Sequence, residues 1–284
     1  MTPDFAADAE RLAAIALAED GPRDVTSDVT VASKARGFGR LEFRSGGVVA
    51  GRAYAEAVAR LCGCRLDWAA GEGAQLPPKS VLGSASGPLG PLLRAERPLL
   101  NFLQRASGIA TATHAYVTAV AGTSTRILHT RKTAPGLRLP DVAAVLAGGG
   151  ALHRLDLAET VMVKDNHWQA LAAQGKSLTT ALAEARQLGA RGLQVEVESE
   201  AQLRSACEAG ATRLLLDNQS PEVVRRWAEL ARGLRPEIEI EATGGVTLDN
   251  VRAYAQAGAD FVSVGALTHS VKAADIAFEI QRER

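Results

Sequence analysis

Charged residues and paired glycines stand at the ends of six short apolar runs in the second half of the chain. Ile127-Leu128 leads into Thr130-Arg131-Lys132, and Val161-Met162-Val163 into Lys164-Asp165. The run from Leu193 to Val197 carries Glu196 and Glu198, and Leu214-Leu215-Leu216 stops at Asp217. Ile238 to Ala242 ends at Thr243-Gly244-Gly245, and Phe261 to Val264 at Gly265-Ala266. Guanidinium and ammonium groups neutralise phosphates and carboxylates. Carboxylates hold Mg²⁺ or stabilise positive charge as it develops. Glycine loops let backbone N–H groups come close to a phosphate. Together these residues suit a small, highly charged substrate.

The last four runs begin at Leu193, Leu214, Ile238 and Phe261, a spacing of about 21 to 24 residues. A strand takes about 5 residues and a helix about 10 to 12, so each interval holds one βα unit. Repeated βα units build a parallel sheet, usually a barrel, whose C-terminal strand ends carry the chemistry. Helices are expected at 178–189, 200–209, 221–232 and 247–257. On this pattern Glu196 and Glu198, two apart on one strand, point to one face. Gly148-Gly149-Gly150 before His153-Arg154 would let the backbone approach a ligand.

The N-terminal part has another texture. Residues 4 to 19 form a loosely helical stripe stopped by Gly21-Pro22. Short alternating segments such as Gly39 to Phe43 and Val81 to Gly83, broken by Gly46-Gly47 and Pro77-Pro78, predict a small sheet. A helix at 53–62 packs across it, and a longer helical region covers about 91–120. The domain boundary is set near residue 108. Residues 1–108 make the first domain, with 271–284 packing back on it, and 109–270 the second.

The 284 residues fit a barrel with a smaller companion. Thirty-two basic and 32 acidic residues cancel, and aromatic content is 4%, which argues against nucleic acid as a partner. No apolar run approaches the ~18 residues of a membrane span. The start is acidic and helical rather than that of a signal peptide, and the three cysteines are read as reduced thiols of a cytoplasmic protein. Gly175-Lys176-Ser177 imitates the end of a P-loop, but Ala170 stands where its first glycine belongs. His114 and His129 read as structural.

At these residues the chain resembles the quinolinate phosphoribosyltransferases. The resemblance lies in Glu96-Arg97, in Leu100 to Ala110, in Thr130-Arg131-Lys132-Thr133-Ala134-Pro135-Gly136-Leu137-Arg138 and in His153-Arg154. It continues through Val163-Lys164-Asp165-Asn166-His167, Leu216-Asp217-Asn218, Gly244-Gly245-Val246 and Val264 to Ser270. It implies an N-terminal α/β sandwich joined to an open, TIM-like α/β barrel, acting as a homodimer with Mg²⁺. The implied reaction converts quinolinate and phosphoribosyl pyrophosphate to nicotinate mononucleotide, pyrophosphate and CO₂.

Carried over residue by residue, Arg97 would reach the site of a second copy and hold a quinolinate carboxylate. Thr130, Arg131, Lys132, Arg138, His153, Arg154 and Lys164 would bind quinolinate and phosphates. Glu196 and Asp217 would face the ribose and the metal, with Lys132, Glu196 and Asp217 as the catalytic set. Thr243, Gly244 and Gly245 with Val264, Gly265, Ala266 and His269 would hold the 5′-phosphate. His129 and Leu152 depart from the family pattern, and Ala144 to Gly149 with Leu157 to Thr160 lean toward a sister group, the molybdenum-transport-associated ModD-like proteins. An enzyme of that kind acting on another heterocycle is the alternative. A Schiff-base lyase using Lys164 and a non-catalytic binding protein are further readings.

Overall fold

The computed structural model describes residues 4–158 and 160–282. The first half of the chain runs α1 (Phe5–Glu19), α2 (Val25–Thr30), β1 (Arg36–Phe43), β2 (Gly47–Val48), α3 (Arg52–Leu61), β3 (Arg65–Trp68), β4 (Gln75–Leu76), β5 (Ser80–Pro88) and α4 (Leu89–Ala119). β6 (Arg126–Leu128), α5 (Arg138–Ala147), β7 (Thr160–Val163), α6 (Asp165–Ala173), α7 (Leu178–Gln187), β8 (Gly192–Val197) and α8 (Glu200–Glu208) follow. The last elements are β9 (Arg213–Asp217), α9 (Pro221–Leu234), β10 (Glu239–Thr243), α10 (Val251–Gln256), β11 (Phe261–Ser263), α11 (Ala266–His269) and β12 (Ile276–Arg282). These elements form two compact units. One holds the residues up to His114, Thr133–Gly149 and those from Leu267 onward; the other holds Ala115–Lys132 and Gly150–Ala266.

The first unit is built on an antiparallel sheet in the order β12-β1-β5-β3. Along β1 burial alternates, so Gly37, Gly39, Leu41 and Phe43 face inward, as the two-residue period of a strand requires. Leu41 pairs with Phe278 of β12. A side chain at Gly39 would meet that ring, its Cβ standing 2.7 Å from Phe278 Cζ. The closing segment thus packs back as a strand, up to Arg282; residues 283–284 lie outside the described residues. Leu41, Phe43, Tyr54, Val58, Leu82, Leu99, Leu103, Ile276 and Phe278 belong to one core.

Arg105 of α4 grips Asp141 of α5 with two hydrogen bonds of 2.8 Å, and Asp141 is 1% exposed. Removing one partner of a buried pair strands the other without its counter-charge. Asp141→Asn is therefore expected to destabilise the fold by about 3 kcal/mol, read as a lower urea midpoint at unchanged slope. Gly148 is a packing glycine of the same unit. A Cβ there would lie 2.7 Å from Thr113 Cβ of α4, so the expected approach to a ligand is replaced by close helix packing.

The second unit carries a six-stranded, all-parallel sheet in the order β6-β11-β10-β9-β8-β7. β6 and β7 end the sheet rather than pairing with each other, so the barrel is open, with one extra bridge from Leu128 to Ala151. β8, β9 and β10 are buried almost continuously, as helix-covered parallel strands are. Ser177, Ser199 and Ser220 each accept a backbone N–H three residues on, which fixes the starts of α7, α8 and α9. The expected helices appear at these places, the last of them as the shorter α10. Among the described residues no helix is long and apolar enough to cross a membrane.

Candidate active site

In a parallel sheet, residues in register share a face. Val163 is level with Val195, so Lys164 comes level with Glu196, and Glu196 with Leu215 and Glu241. Asp217, level with Thr243, lies two residues beyond Leu215 and so returns to the same face. The contacts agree. Lys164 Nζ donates to Glu196 Oε2 in an ion pair whose carboxylate side chain is 8% exposed and whose lysine is 43% exposed. A buried acid beside a half-exposed cation leaves the carboxylate held in place and the ammonium open to an anion. Glu198 takes no part. It lies beyond the end of β8 and is exposed, so the paired-glutamate expectation fails because the strand ends at Val197.

Local structure fixes these groups. Lys164 caps α6, and its N–H donates to Nδ1 of His167 at 3.0 Å. Trp168, one residue on, donates its indole N–H to the Glu196 carbonyl at 3.0 Å, tying α6 to the end of β8. Beside Asp217, Asn218 adopts the left-handed conformation at φ 53°. Its amide donates to Asp217 Oδ2 at 2.8 Å and its backbone N–H to the Thr243 carbonyl at 2.8 Å. Gly244 then turns at φ +79° directly above that carboxylate, where a Cβ would stand 2.7 Å from Asp217 Oδ1. Gly245 continues the turn at φ +60° and is exposed.

Two of the basic residues, Arg131 and Lys132, leave from a strand end of the same sheet. The loop after β6 is turned by Thr130, whose hydroxyl accepts the Lys132 N–H at 3.1 Å, and it exposes Arg131 and Lys132. Arg154 is partly buried, and burial together with the nearby Arg131 charge lowers its affinity for its proton. Two guanidinium groups crowded in this way favour an anion between them. Val264, Gly265 and Ala266 follow β11, with the Val264 N–H donating to the Leu128 carbonyl at 3.2 Å. In the first unit, Arg97 is exposed on α4, Arg138 opens α5, and His269 ends α11 with Nδ1 2.7 Å from the Ser270 hydroxyl.

The sequence reading missed Glu241. It is 1% exposed on β10 and receives hydrogen bonds from His153, from Arg213 at 3.1 Å and from the Ser263 hydroxyl. Burial alone would push its carboxyl up, but the His153 and Ser263 hydrogen bonds and the Arg213 charge outweigh it and hold the group below the ordinary value. Glu241 sits between the fully buried Ile240 and Ala242 of that strand, a legible signal, since buried acids are nearly always paired. His129, expected within a strand, lies just past β6 and is fully buried. Among the described residues, no group of three or more His, Cys, Asp or Glu side chains is placed to hold a metal ion.

Comparison with known proteins agrees with this architecture. Residues 24–107 match the family described as Quinolinate phosphoribosyl transferase, N-terminal domain, and residues 109–279 its C-terminal domain. The chain is 38% identical over 280 residues to the nicotinate-nucleotide pyrophosphorylase [carboxylating] of Rattus norvegicus, covering 96% of this chain and 92% of the relative. It is 42% identical over 211 residues to a probable enzyme of the same name from Bacillus subtilis, covering 74% and 71%. The solved nicotinate-nucleotide pyrophosphorylase from Francisella tularensis superposes with a TM-score of 0.90 at 30% identity, covering 99% of this chain and 98% of that one. These relatives favour the quinolinate group over its ModD-like sister. The chain belongs to the quinolinate phosphoribosyl transferase family.

Proposed function

We propose that this chain transfers the phosphoribosyl group of phosphoribosyl pyrophosphate to quinolinate and decarboxylates the product to nicotinate mononucleotide, a step of de novo NAD biosynthesis. The observation that carries the reading is the shared rim of Lys164, Glu196 and Asp217, in a member of this family. The bond from the sugar C1 to pyrophosphate breaks, and C1 bonds to the ring nitrogen. Positive charge builds on the ribose as pyrophosphate leaves, and Glu196 and Asp217 are assigned to stabilise it. Lys132 and Lys164 offset the charge of the leaving group, while Arg131 and Arg154 serve carboxylates and phosphates. Loss of CO₂ then leaves an electron pair on the ring carbon, which a proton takes up.

Thr243 to Gly245 and Val264 to Ala266 are assigned to the 5′-phosphate, as glycine turns after the last barrel strands suit that group. Two carboxylates with no third protein ligand among the described residues fit Mg²⁺ that arrives with the phosphates, since this ion keeps few protein ligands. When bound, it would neutralise the pyrophosphate oxygens as the C1 bond breaks. The exposed Arg97 supports the homodimer reading, in which it serves a second copy's site. Free Cys62, Cys64 and Cys207 support a reducing compartment, the cytoplasm. A Schiff-base role for Lys164 is disfavoured, because its amine is ion-paired where that chemistry needs a desolvated one.

Product analysis by mass spectrometry tests the reading. Nicotinate mononucleotide and CO₂ are expected only when quinolinate, phosphoribosyl pyrophosphate and Mg²⁺ are all supplied. Turnover of nicotinate or another ring acid in place of quinolinate would refute it.

A further inference from the structure

The His153 ring is 7% exposed, and both of its nitrogens are occupied within the second unit. The Arg154 backbone N–H donates to Nδ1 at 2.7 Å, and Nε2 lies 3.2 Å from Glu241 Oε2. A backbone N–H can only donate. Nδ1 is therefore the bare acceptor and Nε2 carries the proton that Glu241 receives. In the other tautomer, Nδ1–H would face the Arg154 N–H, two donors with nothing between them. His129 Nε2 accepts the His153 N–H at 3.0 Å, so consecutive backbone amides are each held by a histidine ring. Glu241 is in turn fixed by Arg213, which lies 3.8 Å over the Phe261 ring, and by Ser263.

We propose that Glu241 is a positioning residue for the reaction. It holds His153 in the Nε2–H form, and His153 thereby clamps the Arg154 backbone so that this guanidinium meets a substrate anion beside Arg131. His153 on this account orients its neighbour. The inference rests on the phosphoribosyl-transfer reading for its consequence but not for its test.

The test has two arms on the full-length chain. In ¹⁵N-labelled protein at neutral pH, the His153 ring is expected to show a bare Nδ1 and a protonated Nε2; a protonated Nδ1 would overturn the proposal without any variant having to fold. In the second arm, Glu241→Met removes the acceptor at similar size, and Glu241→Gln keeps an acceptor oxygen. Glu241→Met is expected to weaken binding of quinolinate or of inorganic pyrophosphate by about tenfold, with most of the loss restored in Glu241→Gln.

His153→Asn places an amide oxygen where Nδ1 stood and has no link to Glu241. In that background the Glu241→Met step is expected to cost less than about twofold. A full tenfold loss there, or no loss in either background, would show that Glu241 does not act through His153. Wild-type turnover is measured alongside. Its absence would count against the activity, while ring shifts and anion binding decide the positioning role independently.

Discussion

Glu196→Gln is expected to lower kcat by roughly 10²- to 10³-fold, the usual cost of one preorganised group aimed at developing charge. The amide is nearly the same size, so packing around the buried side chain is retained. What disappears is the negative charge that the proposed mechanism sets against the ribose in the transition state. Lys164 loses its counter-charge, yet at 43% exposed it remains solvated, and the fold should not suffer. The expected pattern is a fall in kcat and kcat/KM together, as for an interaction made only in the transition state. Urea unfolding should stay within about 0.5 kcal/mol of wild type. A loss of less than about threefold in kcat would show that the carboxylate acts elsewhere.

Gly244→Ala should abolish most activity by a different route. Its φ of +79° already disfavours any side chain, at about 1 to 2 kcal/mol. The new methyl would also press on the Asn218 amide and on Asp217 Oδ1, the pair that orients the rim carboxylate. Displacing a reacting group by about 1 Å commonly costs about 10²-fold, and a loss of that order in kcat/KM is expected. Gly175→Ala supplies the control. Gly175 has a φ of +63° between α6 and α7, and a methyl group added there would meet nothing within 4 Å. It should lose similar stability and no turnover. Equal loss of activity in both variants would mean that backbone strain, not crowding of Asp217, is responsible.

Much of this site was legible in the amino-acid order, because its parts are local. An apolar run followed by a charged residue and a serine-capped helix is a βα unit wherever it occurs, and such units build parallel sheets. Lys164, Glu196, Asp217 and Thr243 could therefore be assigned to strand ends one by one. Their arrival on one face follows from the register, which local sequence does not state. Glu198 shows the limit: the alternation rule gave it the same side as Glu196, and only the end of β8 at Val197 removed it. Gly148 shows another, since its neighbour Thr113 lies far away in sequence.

The chain's residue order by itself determined which strands carry cations, acids and glycines, and the βα rhythm that sets them at one end of a sheet. Tertiary structure alone decided that Glu241 sits beneath His153, that both rings of the histidine pair are spent on backbone amides, and that the last strand closes against β1. The reason is physical. Helix caps and strand ends depend on residues a few positions apart, whereas a buried carboxylate is stable only where several distant strands bring it donors at once.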